Sequence, residues 1–84
     1  MMIPNNLREY RKKKGLRLID VACALGFTTF DRISKWERGL AYPHLTNLFK
    51  LCRLYGAYPH ELYHEALQPD KDEMIPVNKA MKMD

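Results

Sequence analysis

Four glycines constrain this chain more than any other feature. Gly15, Gly26, Gly39 and Gly56 are the only glycines in 84 residues, and each follows a stretch with helical apolar spacing. Glycine just past the last periodic residue is a common helix stop, because the closing residue takes a left-handed conformation that a Cβ disfavours. The glycines therefore divide the chain into short helices. No stretch alternates apolar and polar residues for long enough to make a strand. The expected fold class is all-α, with five short helices in one compact domain.

The first helix is predicted over about 7–14. Asn6 and Glu9 stand at capping-box spacing before it, with Asn in place of Ser or Thr. The second is predicted from 17 or 18 to 25, with Leu18, Val21, Ala22 and Leu25 on one face. Phe27-Thr28-Thr29 leads into a third helix over about 30–38, which either threonine can cap. Ile33 and Trp36 lie on its inner side. A fourth helix is predicted from 44 or 45 to 55. Its apolar stripe reads as Leu45, Leu48, Phe49, Cys52 and Tyr55, with Leu51 at the edge and Leu54 partly exposed. Pro59 suits the first turn of a fifth helix, 59 to about 67. Residues 1–67 are thus the expected domain. Residues 68–84 hold Pro69 and Pro76 and no packing pattern, so they read as a flexible or partner-docking tail.

Composition excludes several classes. With 46% hydrophobic and 11% aromatic residues, the chain is too apolar to be disordered throughout. No run approaches the roughly 20 apolar residues of a membrane span. The start, Met1-Met2-Ile3-Pro4, has no signal-type apolar segment. Cys23 and Cys52 are too few for a disulfide scaffold and are expected as core fillers on helices two and four, with free thiols in a reducing cytoplasm. The net charge is +4, unevenly spread. Residues 1–64 hold eleven Lys and Arg against five Asp and Glu, whereas residues 65–84 hold three against five. A basic domain with a mildly acidic tail fits a polyanionic partner or, equally, a solvated surface.

No catalytic constellation is evident. Ser34 is the only serine, and there is no glycine-rich phosphate loop. His60 and His64 are spaced i, i+4 on the last helix, but Glu61, Glu65 and Cys52 do not complete a diagnostic metal set. The expectation is a protein that is not an enzyme, with no cofactor and no metal.

Helix two, a tight Gly-containing turn and helix three make a helix-turn-helix pattern. Residues 7–11 precede Gly15-Leu16, followed by Val21-Ala22 and Leu25-Gly26. Ile33-Ser34-Lys35-Trp36-Glu37-Arg38-Gly39 comes next, then Pro43, Leu48, Leu51-Cys52 and Tyr55-Gly56. In these elements the sequence resembles the phage-repressor and Cro-type (XRE) helix-turn-helix family, over residues 6 to about 64. The resemblance implies a lambda-repressor-like fold and a sequence-specific, double-stranded DNA-binding regulator of transcription, a repressor that reads the major groove with helix three. Two departures stand out. The stretch after Gly26 is one residue longer than in the family, an addition to the turn or to the third helix. Leu18 occupies a position that commonly carries a polar, phosphate-binding residue, so that contact is either lost or supplied by Arg17.

An α-helix fits the major groove, and its N-terminal side chains reach base edges there. Counting back from Ile33, the outward residues are Thr29, Phe30, Asp31 and Arg32, with Lys35 one turn later. The resemblance places base contacts at these positions. Arg32 or Lys35 suits guanine, Asp31 suits a cytosine amine or orients a neighbouring cation, and Phe30 suits a thymine methyl. Phe30 reads equally well as a core plug beside Phe27. Phosphate contacts are expected from Lys14, Arg17, Thr28, Arg38, His44, Thr46 and Asn47. In the family, the counterparts of Arg11 and Glu37 form a structural ion pair between helix one and the end of helix three. A single domain reads few base pairs, so a homodimer is expected, with Leu54, Tyr58, Tyr63 and the apolar tail residues as candidate contacts. The alternative is an antitoxin or adaptor that uses the fold, or its tail, to bind another protein.

Overall fold

Each glycine closes a helix in the computed structural model, which describes residues 2–64. The elements are α1 (Leu7–Lys13), α2 (Leu18–Ala24), α3 (Asp31–Glu37), α4 (Leu45–Tyr55) and α5 (Pro59–Leu62). The described residues are therefore all-α, five helices without a strand. All four glycines have positive φ. At the end of α3, Gly39 donates to the Trp36 carbonyl at 3.0 Å and Leu40 to the Lys35 carbonyl at 2.9 Å. That bond pair is the Schellman closure, and it requires a left-handed residue at position 39.

Three of the helices have only seven residues. Isolated helices shorter than about 12–15 residues are marginal in water, so packing must hold these. The core supplies it: Leu7 from α1, Val21 and Ala22 from α2, Ile33 and Trp36 from α3, Leu51 and Tyr55 from α4 and Leu62 from α5 all converge in one cluster. Full burial of each large aliphatic side chain is worth about 1.5–3 kcal/mol. α3 packs on both α1 and α2, and α4 packs on α5.

Several local expectations are corrected. Asn6 makes no side-chain cap on α1. Instead the Asn5 Oδ1 accepts from the Leu7 N–H at 3.0 Å, and the Asn6 amide donates across the fold to the Glu61 carbonyl at 2.9 Å. Helix three starts at Asp31, not Phe30, and neither threonine caps it. Residues 27–30 thus lie in the connection between α2 and α3 and not in α3.

The stripe on α4 is also rotated from the expected one. Leu51 and Tyr55 are its buried residues, whereas Leu45 is 64% exposed and Phe49 53%. α4 has apolar residues on more than one face, so periodicity alone leaves the inward face undecided. Cys23 is exposed and Cys52 half-buried, so Cys23 is not a core filler. The inward face of α2 is set by Val21, Ala22 and Leu25, and Cys23 is turned away from it. Tyr63, a candidate subunit contact, is buried, and its ring lies 5.3 Å from that of Tyr42. Burial pushes the Tyr63 hydroxyl up to about 12. Helix five, expected from 59 to about 67, ends at Leu62, with Tyr63 in non-helical backbone; residues 65–67 of that expectation and the tail over 68–84 lie outside the described residues.

Candidate nucleic-acid interface

α3 is held on one side and open on the other. Ile33 and Trp36 are buried, whereas Asp31, Arg32, Lys35 and Arg38 are exposed. This split follows from 3.6-residue periodicity once Ile33 and Trp36 face the core. The Trp36 ring meets Phe27 edge-on at 6.0 Å, which anchors the turn before α3 to the helix itself. The Arg32 guanidinium lies over the outer face of Phe27, 5.0 Å from the ring centroid. Phe30 is 43% exposed, so it is not a core plug, and Phe27 fills that role.

Thr28, Thr29 and Arg32 line one shallow groove with Gly26 and Phe27. The structure thus gathers Thr28, Thr29, Phe30, Asp31, Arg32 and Lys35 at the exposed N-terminal part of α3 and the turn before it.

The far end of α3 is pinned by charge. Arg11 Nε donates to Glu37 Oε2 at 2.6 Å, and Nη2 donates to Oε1 at 3.2 Å. Its remaining Nη1 donates to the Leu16 carbonyl at 2.8 Å. The pair is nearly buried, with the two side chains 11% and 7% exposed. The bidentate bond to Glu37 drives the Arg11 pKa up against the opposing effect of burial. Tyr55 lies beside this pair, and its buried hydroxyl has no hydrogen-bond partner among the described residues. Burial raises its pKa first, and the Glu37 charge adds to this. Arg11 and Glu37 neutralise each other, so the outward charge here comes from other residues. Arg8 and Arg38 line a second groove over the pair. Arg8 was not singled out as a phosphate contact from the sequence, although it sits one turn before Arg11 on α1.

The remaining candidates are more dispersed. Arg17 is the N-cap residue of α2 but makes no side-chain cap bond; its Nη2 and Nε donate to the Asp20 carboxylate at 3.0 and 3.1 Å, and that carboxylate also accepts from the Arg17 backbone N–H at 2.8 Å. The Arg17 side chain and then its N–H hold the Asp20 carboxyl below the usual carboxylate range. The Arg17 side chain is 79% exposed, so this pair contributes little to stability and the guanidinium stays available. His44 stands at the N-cap position of α4 without a side-chain cap bond. His44 and Thr46 are exposed and Asn47 is half-buried. Lys14 sits apart from this set: its ammonium lies near Gly56, at the carbonyl end of α4, where the helix dipole favours a cation.

Among the described residues, no three His, Cys, Asp or Glu side chains converge as a metal site. The His60 ring is stacked on Tyr58 at 5.8 Å. No helix among the described residues is long and apolar enough to cross a membrane.

Residues 7–62 match the Helix-turn-helix family. Among curated proteins, the HTH-type transcriptional regulator DdrOP3 of Deinococcus deserti is 39% identical over 62 residues, which are 74% of this chain and 47% of that protein. The chain spans about half the length of this curated relative. No solved structure matches.

Proposed function

We propose, from the premise that this chain belongs to the helix-turn-helix family, that it is a sequence-specific double-stranded DNA-binding regulator of transcription. It acts as a repressor by occupying the major groove with α3, as a dimer on a two-fold-related site. The observation that carries this reading is the asymmetry of α3: its core side is locked, and its open side presents Asp31, Arg32 and Lys35.

Arg32 or Lys35 bonds guanine O6 and N7, Asp31 accepts from a cytosine amine, and Phe30 covers a thymine methyl. Thr29 reaches the adjacent base edge from the turn. Arg17, Thr28, Arg38, His44, Thr46 and Asn47 touch phosphate and set the register, and Lys14 adds a more distant charge. Arg11 and Glu37 touch no base and fix the angle of α3. Half-sites one helical turn apart, roughly 34 Å, are the separation that two such helices serve.

The test is selection from a random duplex library, with binding of the winners followed against salt. Enrichment of a two-fold-symmetric motif is expected. The Arg32→Ala/Lys35→Ala double variant should stay folded and lose the preference for that motif. Binding with no enriched motif, weak and steeply salt-dependent, would leave only the electrostatic attraction to phosphate and sink the assignment. A second reading is a protein-binding adaptor or antitoxin. It is favoured by the exposed Tyr42, Leu45 and Phe49, apolar side chains that the described residues leave uncovered.

A further inference from the structure

The Schellman closure of α3 satisfies the carbonyls of Lys35 and Trp36 but leaves those of Glu37 and Gly39 without a partner from the helix end itself. The chain start supplies both. Asn5 Nδ2 donates to the Glu37 carbonyl at 3.3 Å and to the Trp36 carbonyl at 3.1 Å. The Ile3 N–H donates to the Gly39 carbonyl at 2.8 Å. Asn5 Nδ2 also reaches the Ile3 carbonyl at 3.1 Å, which holds the segment in its bend. Its other end is committed as well, since Oδ1 accepts from the Leu7 N–H. The amide orientation is thereby fixed, because the reverse would set an oxygen against three carbonyls. One asparagine therefore joins the first turn of α1 to the last turn of α3. The fit is close: a Cβ on Gly39 would run into the backbone of Ile3.

We infer that the N-terminal segment at Ile3–Asn5 is a clamp that sets the pose of α3, with Asn5 its positioning residue for sequence recognition. This rests on the proposed role of α3 in reading DNA. Base contacts demand angular accuracy that phosphate contacts do not, because bidentate bonds to base edges are directional and attraction to phosphate is mostly not. A loosened α3 therefore loses sequence preference before it loses affinity for duplex in general. Asn6 is the matched control. It lies next to Asn5 and makes a bond of similar quality, but ties α1 to α5 at Glu61 and does not touch α3.

The experiment uses the full chain and four proteins: native, Asn5→Ser, Asn5→Asp and Asn6→Ala. Serine and aspartate keep an acceptor for the Leu7 N–H and lose the two amide donors, one without adding charge. Affinity is measured for the selected duplex and for a random duplex, and amide exchange is followed along α3. Both Asn5 variants are expected to lose about tenfold in the selected-to-random affinity ratio and to exchange faster at Arg38 and Gly39; Asn5→Ser is expected to keep its random-duplex affinity, and the added charge of Asn5→Asp to weaken both duplexes alike. Asn6→Ala is expected to melt lower with an unchanged selected-to-random ratio. The proposal is overturned if the Asn5 variants keep the native ratio, or if Asn6→Ala lowers it as much as they do. If the native chain itself prefers no sequence, the DNA reading has failed, and exchange then decides the clamp separately: native protection at Arg38 and Gly39 in Asn5→Ser overturns it.

Discussion

Arg11 is buried at 9% exposure, and each of its three guanidinium nitrogens donates one bond, Nε and Nη2 to Glu37 and Nη1 to the Leu16 carbonyl. Such a pair is costly to break on one side, because the survivor is left as an uncompensated buried charge. Glu37→Ala and Arg11→Ala should each lower stability by about 3 kcal/mol, read as a shift in urea midpoint at constant slope. Arg11→Met with Glu37→Leu should recover most of that loss, since two apolar side chains leave no buried charge. If the double variant is no more stable than the singles, the pair has a role other than mutual neutralisation. The buried Tyr55 hydroxyl beside the pair was not legible in the sequence. A tyrosine at an apolar position announces its ring, but the surroundings of its oxygen depend on what packs there.

α3 has seven residues and depends on its neighbours at every turn. Its start is fixed through Phe27 and Trp36, its middle through Ile33, and its end through Glu37 and the chain start. α4, with 11 residues, shows the opposite problem: enough apolar positions for two possible inward faces. The fold uses the face with Leu51 and Tyr55. Leu51→Ala should therefore cost about 2–5 kcal/mol. Leu45→Ala and Phe49→Ala should each stay within about 0.5 kcal/mol of native. Chemical denaturation of the three variants checks this ordering, and a large loss at Leu45 would put the originally expected stripe back in the core.

Across the whole molecule, the first and last described helices are tied by polar bonds as well as by the core. Asn6 donates from its backbone to the Leu62 carbonyl at 2.8 Å. The Glu61 carboxylate accepts from the Tyr58 N–H at 2.9 Å and the Tyr10 hydroxyl at 3.1 Å. Those two bonds, the backbone one first, hold the Glu61 carboxyl below its ordinary value of 4.5. A carboxyl lowered on folding adds stability that is fully present above its unfolded value and is lost as pH falls through the folded one. Stability should thus decline below about pH 4.5, and Glu61→Gln should flatten that part of the profile, as measured by thermal melts across pH 3–7. An identical acid slope in the variant would remove Glu61 from the account.

The division of labour between sequence and tertiary structure follows from range. The order of the first four helices and their stopping points were determined by the sequence alone, because a left-handed closing residue is a local matter that glycine settles within one turn, whereas the end of α5, which no glycine closes, was not. The outward placement of Asp31, Arg32 and Lys35 was legible for the same reason, once Ile33 was taken as buried. Tertiary structure alone decided the inward face of α4, the exposure of Cys23 and Phe30, and the exchange of roles between Asn5 and Asn6. Those outcomes depend on groups far along the chain: the partners of Asn5 are 31 and 32 residues away, and that of Asn6 is 55 away. No local pattern specifies such a partner, because the energy that selects it exists only after the helices have packed.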